Sequence, residues 1–327
     1  MNSIINKKSI SIGVLVVLLA LYPLIVKQSS YYMTILVMIF IYAISAVALD
    51  LLVGFGGQIS VGHAGFLIIG AYTVAIFSSK YELSIVLALP LAGLIAGLVG
   101  FIIGLPAVKL SGQFLAVVTL GFGLSIPQLA LDWDTLTNGY SGLAVYRPTF
   151  IADDLTFFYV VLILTIGIMW VIYNILHGRF GRVFVAIRES EVAAQSTGIH
   201  LAFYKAVMFA ISAFFTGLAG GIYAYWIGFV SPNDFTIMTS FLLLGMIVVG
   251  GLASMPGAIA GAILFTALPE LTSSFVGLTN IIIGGAIVLI IIFRPSGLIA
   301  GLPNLFVKRK MSENNSSNLQ LHEGEAE

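Results

Sequence analysis

The sequence predicts an all-α integral membrane protein, a bundle of about ten transmembrane helices (eight to ten), some of them broken or re-entrant. Three observations carry that prediction. Of 327 residues, 59% are hydrophobic and only 9% are charged, against about 25% charged in a soluble domain, whose surface must be wet. The few charges are clustered, leaving apolar stretches of the length a bilayer core demands, roughly 18 residues or more. The third observation is glycine, present 35 times. Each costs roughly 1 kcal/mol against alanine inside a helix in water, but in lipid close backbone approach is a main source of helix association. The formal net charge of zero gives no basic field for nucleic acid. With no cysteine, disulfides and thiolate–metal sites are excluded.

Ten apolar segments follow in order, at about 10–26, 34–53, 60–79, 84–108, 113–131, 155–176, 205–229, 237–251, 257–271 and 279–293. Lys7 and Lys8 precede the first, and no small-x-small cleavage site follows it, so it reads as an uncleaved first helix with the N-terminus in the cytoplasm. Loop charges orient the rest. Lys109, the segment 177–204 with Arg179, Arg182 and Arg188, then Arg294 and Lys308, Arg309 and Lys310 fall on the cytoplasmic side. The long outside loop, about 132–154, carries Asp132, Asp134, Asp153 and Asp154 against Arg147, as the positive-inside tendency requires. Residues 1–310 form the membrane domain, and the Ser/Asn/Glu-rich tail 311–327 is expected to be a disordered cytoplasmic extension. The small-xxx-small pairs Gly93/Gly97, Gly100/Gly104, Gly217/Gly221 and Gly257/Gly261 mark tight helix packing.

Three stretches are more than greasy helix. The first runs from Gly54 to Phe66, with Gly57, Gln58, Ser60, Gly62 and His63 at its centre. Clustered glycines among polar residues suit a broken helix whose freed backbone groups are satisfied by protein or line a polar cavity. His63 must find a partner at membrane depth, either a neighbouring helix or a polar pathway. Asp50, near the cytoplasmic end of its span, is expected to reach the interface. The second stretch is 178–199, where Val183, Ala186, Ile187, Ala193 and Ala194 fall near one helical face and Gly198 is a plausible stop. A small, alanine-rich face flanked by both charge signs fits docking into a protein groove better than lying on lipid. The third is the outer lip and its approach, from Thr119 through Asp132-Trp133-Asp134 to Thr137-Asn138-Gly139 and Leu143, which reads mainly as an interfacial turn.

There is no Walker A pattern, nucleophile elbow or His-Glu-x-x-His. Acidic residues inside the spans are limited to Asp50 and Glu270, little for an ion-coupled carrier, so the energy source is expected elsewhere.

At these residues the chain resembles the LivM-type permease subunit of ABC importers for branched-chain amino acids, over about residues 35–300. The similarity rests on the 54–72 stretch and its Gln-Ile-Ser-Val-Gly-His-Ala core. It rests also on Gly181-Arg182 through Ala186-Ile187-Arg188-Glu189, Glu191, Ala193-Ala194, Gly198 and Tyr204-Lys205. Gly250-Gly251, Gly257, Gly261 and Arg294-Pro295-Ser296-Gly297-Leu298 add to it. The chain departs from the family pattern at Leu124 and Pro127, at Asn138 and at Ala253, changes read as touching the outer half.

The resemblance implies a multi-pass permease of the bacterial plasma membrane with both termini cytoplasmic, working beside a second homologous permease. Two cytoplasmic ATPases would supply the power and an extracytoplasmic binding protein would deliver substrate. The chain would need no cofactor or catalytic residue of its own, ATP and Mg being bound by the ATPases. Segment 178–205 would be the coupling element, with Arg179, Gly181, Arg182, Arg188, Glu189, Glu191, Ala193, Ala194 and Gly198 as its residues. Gly57, Gln58, Ser60, Gly62, His63 and Thr119 would lie at the pathway or broken helix. Urea or short amides are the alternative substrates, and a stand-alone channel or secondary carrier the remoter reading.

Overall fold

The computed structural model describes residues 29–108, 110, 112–272 and, beyond these, 284, 285, 288, 292, 297 and 298. The first apolar segment, Lys109, Arg294, the 308–310 cluster, the tail and most of the last segment lie outside the described residues. Among the described residues there are eleven helices and a two-stranded sheet. Seven helices are long and apolar enough to cross a membrane, and an eighth apolar helix is shorter.

Helix α1 (Ser30–Asp50) opens the described bundle and is deeply buried in its second half. From Ala43 to Leu52 every residue is buried, the signature of a helix apolar on all sides. It passes into a π-helical turn, Leu51–Phe55, and stops at Gly56-Gly57, where Gly57 takes φ +66°. Residues 58–63 are not helical, so the next span begins later than the expected 60, at α2 (Ala64–Tyr81). Next come α3 (Ile85–Gly104) and α4 (Gln113–Asp132). The outer lip holds a short helix, α5 (Asp134–Thr137), and strand β1 (Leu143–Ala144). Asp153 caps α6 (Asp154–His177) by accepting from the Thr156 amide. Then follow α7 (Arg179–Glu189), α8 (Glu191–Ser196) and the long α9 (Leu201–Ile227). Strand β2 (Phe229–Val230) pairs antiparallel with β1, Leu143 opposite Val230. Helices α10 (Ile237–Gly250) and α11 (Met255–Leu271) complete the described bundle.

All four glycine pairs are notches for another helix of the chain. Gly93, Gly97, Gly100 and Gly104 face Ala206, Phe209, Ala213 and Phe214 on α9, so a β-carbon at each would press on that helix. Gly217 meets Ala92 and Ala96 of α3, and Gly221 meets Leu89 and Val74. Gly257 and Gly261 lie on the backbone of α10. Close approach multiplies van der Waals contact where no hydrophobic driving force separates helix from lipid.

The loops sort to two ends. One end joins the start of α1 to the lip: Trp226 Nε1 donates to Thr34 Oγ1 at 3.2 Å, and Lys80 Nζ donates to the Thr135 and Leu136 carbonyls, each at 2.8 Å. The opposite end gathers the 54–57 turn, the close of α3, helices α7 and α8, and the turn between α10 and α11. Among the described residues, the arginines of α7 thus lie at one end and the acidic lip at the other.

Candidate coupling end and pathway face

The broken-helix stretch is satisfied by protein. The Val61 amide donates to Thr119 Oγ1 at 3.0 Å, and the Ala64 amide, one of the unpaired donors at the start of α2, donates to Ser240 Oγ at 2.9 Å. Gln58 Nε2 reaches the Gly56 carbonyl at 3.4 Å. His63 is fully buried. The Ser212 hydroxyl has one proton, which it gives to the Ala48 carbonyl. Its oxygen therefore accepts from His63 Nε2–H at 3.0 Å, leaving Nδ1 to accept from the Ser60 hydroxyl at 3.3 Å. A histidine with both nitrogens engaged by two serines ties α2 to α9 and α1. Of the two readings of His63, geometry favours the structural one.

Gly62 and Gly123 are a backbone crossing. A β-carbon at Gly62 would collide with the Thr119 carbonyl, and one at Gly123 would sit 2.7 Å from Gly62 Cα. Thr119, buried, holds its hydroxyl between Val61 and its own helix. Gly57 belongs to the opposite end, where the Arg188 side chain lies across it.

The segment expected to serve coupling folds as two helices, broken at Ser190, whose φ of −161° is extended and whose hydroxyl caps α8 by accepting from the Ala193 amide. Gly181, Phe184 and Ile187 turn inward on α7, and Ala194 on α8 is only 4% exposed. Gly181 sits where a β-carbon would strike the Leu176 carbonyl, which lets α7 fold back on α6. Gly181 and Ala194 thus hold the segment to the bundle and present nothing outward, and the expected common face of Val183, Ala186, Ile187, Ala193 and Ala194 is not formed. The outward face carries Arg179, Arg182, Ala186, Glu189 and Ala193, with Gly198 exposed beyond. At the tip stands Val192, 80% exposed, which the sequence pattern did not single out.

Two ions position this segment. Lys205 is 1% exposed, pairs with Glu191 at 2.7 Å and donates to the Ala107 carbonyl at 3.3 Å, pinning α8 to the end of α3. Arg188 Nη1 donates to the Gly54 carbonyl at 2.7 Å, and Nη2 pairs with Glu189 at 2.7 Å. Asp50 corrects the sequence expectation. It is 1% exposed and does not reach the interface; its carboxylate accepts from the Ala253 amide at 2.9 Å and the Ser254 amide at 3.0 Å. Ala253 therefore sits at the end of the bundle that carries α7 and α8, not at the lip end where the departures were expected.

A second feature is the open face of α4. Gly121, Ser125, Gln128 and Asp132 recur at i, i+4, i+7 and i+11, one side of a helix, and all four are exposed. Nothing lies within 4 Å of where a Gly121 side chain would begin. Ser125 donates to the Gly121 carbonyl at 2.8 Å, and Gln128 Nε2 donates to Asp132 Oδ1 at 3.0 Å. Such a polar stripe is costly against hydrocarbon. Towards the inner end the same side turns apolar with Phe114, Val117 and Val118.

The lip beside this face is clamped by Arg147. Its guanidinium pairs with Asp154, donates to the Tyr225 carbonyl at 2.8 Å and the Trp226 carbonyl at 2.7 Å, and stacks on Phe157 and Trp226. It serves the last carbonyls of α9, where a cation is favoured. The signal for it was one cation among four carboxylates.

Comparison with known proteins agrees with this architecture. The family described as branched-chain amino acid transport system / permease component matches residues 31–293. The chain is 34% identical to the high-affinity branched-chain amino acid transport system permease protein LivM of Salmonella typhimurium, covering 91% of this chain and 76% of that protein. It is also 34% identical to its counterpart from Escherichia coli, covering 90% and 75%. A more distant relative, the galactose/methyl galactoside import permease protein MglC of Escherichia coli, is 24% identical over 81% of this chain and 89% of its own length. No solved structure matches. The chain belongs to the family of branched-chain amino acid transport system permease components.

Proposed function

We propose that this chain is the permease subunit of an ATP-driven importer, moving branched-chain amino acids handed over by an extracytoplasmic binding protein. The observation that carries the reading is the projecting α7–α8 unit. It is anchored by Lys205 and Arg188 while its outer face stays open, with Val192 80% exposed at the tip. Such an element suits docking on a cytoplasmic ATPase, and two ATPases would power a pair of permeases. The α4 stripe would face the second permease across a water-filled pathway, which removes the cost of exposing Ser125 and Gln128 to lipid.

In this reading the chain itself catalyses nothing and holds no cofactor; ATP and Mg belong to the ATPases. Residues 1–310 form the permease domain, with both termini cytoplasmic, the α7–α8 end inside and the 132–154 lip outside, facing the binding protein. ATP binding in the partners stabilises one pathway state over the other, so no intramembrane ion site is needed.

Uptake by the reconstituted transporter tests the substrate, using radiolabelled leucine, isoleucine, valine, urea and acetamide. Saturable, ATP-dependent uptake of the three amino acids is expected. Uptake of urea or acetamide alone overturns the substrate assignment, and uptake without ATP overturns the class.

A further inference from the structure

Asp50 is a buried carboxylate that the reading above leaves without a task. Burying a charge at membrane depth is expensive, and capping α11 does not require it, because Ser254 Oγ already accepts from the Gly257 amide at 3.2 Å. What the carboxylate adds is a tie. Its two oxygens hold the Ala253 and Ser254 amides, joining the end of α1 to the turn between α10 and α11.

Gly54, one turn further along, is wedged between Asp50 Oδ1 and the Ala253 amide, with no room for a side chain. Its carbonyl accepts from Arg188 Nη1 across 134 residues of sequence. The aliphatic stem of Arg188 lies over Gly57. The turn between α10 and α11 is also met by Gly297 against Gly251, and the Leu298 amide donates to the Val249 carbonyl at 2.9 Å.

We infer that Arg188 and Asp50 are positioning residues that join α7, the 54–57 turn and the 252–254 turn into one transmission block, which carries ATPase movement to α10 and α11. The inference rests on α7–α8 being the coupling element. Directional bonds to backbone at both ends resist pull as well as push, whereas the apolar faces beside them can slide. Coupling through such a chain needs a demonstrated unit that moves together, and the native cysteine-free chain allows that to be measured.

Spin labels at Phe180→Cys on α7 and Leu252→Cys, both exposed, report the distance across the block in the assembled transporter. It is expected to be unchanged between nucleotide-free and ATP-bound states while the distance from Phe180 to a Tyr140→Cys label shifts. A 180–252 change as large as the 180–140 change overturns the inference.

Asp50→Asn and Arg188→Met are each expected to lower transport per ATP hydrolysed by about tenfold, with the ATPases still copurifying. The double variant should be no worse than the weaker single, because both break one chain. Multiplying losses, or a normal ratio in Asp50→Asn, overturn it. If either variant fails to fold, the label pair decides. Val192→Asp separates this from the reading beneath it: retained ATPase binding there sinks the coupling assignment, whereas lost binding with normal Asp50→Asn sinks only the block.

Discussion

Ala253 adopts φ +56°, a left-handed conformation in which a β-carbon costs roughly 1–2 kcal/mol. The turn it forms presents its amide to Asp50. Ala253→Gly should therefore stabilise the protein by about 1 kcal/mol, the relieved strain less the backbone entropy glycine loses on folding. A higher midpoint of thermal unfolding in detergent is the expected outcome, and a lower one would show the turn is unstrained. Asn138, another departure, also has positive φ, at 63°, but asparagine tolerates it. His63→Ala should instead destabilise, by about 1–3 kcal/mol for the hydroxyls left unpaired. Unchanged stability with altered substrate selectivity would return His63 to the pathway. The sequence required a partner for this histidine but did not show which, because Ser212 lies 149 residues away. The same holds for Asp50, whose partners are backbone amides some 200 residues on.

Helix α7 shows where element-scale periodicity misleads. A wheel drawn through 183–194 as one helix groups Ala186 with Ala194, but Ser190 is extended and restarts the helical phase. Phe184 and Ile187 then face the bundle with Ala194, while Ala186 and Ala193 look out. The segment's existence, amphipathic character and stop at Gly198, which takes φ +86°, were legible; its phase was not. The variant to make is accordingly Val192→Asp. A carboxylate on an exposed apolar tip leaves the fold untouched but is desolvated on docking, so ATPase copurification should drop. Ala194→Trp should act differently, forcing α8 off the bundle and lowering expression, since that site has no free volume. Equal ATPase recovery for wild type and Val192→Asp would sink the assignment of α7–α8 as the coupling element.

At the scale of the molecule, the span order and the two sets of ends follow from hydropathy and charge, because the bilayer imposes both directly. Which side of each helix meets lipid does not follow, because glycine, serine and leucine serve protein and lipid contacts alike. Helices α3 and α4 make the contrast. The outer side of α3 is Val86, Leu87, Leu94, Leu98 and Ile102, all exposed and apolar, as hydrocarbon demands. The outer half of α4 exposes Ser125, Gln128 and Asp132 instead. If that stripe lines a pathway shared with a second permease, Ser125→Cys in the assembled, reconstituted transporter should react with a membrane-impermeant thiol reagent. Leu98→Cys, facing acyl chains, should not, since thiolate formation needs water. Protection of Ser125→Cys by substrate-loaded binding protein would tie the stripe to the transport route. Equal inertness at both positions would mean that α4 faces lipid or a dry interface, and the pathway would have to be sought along another helix.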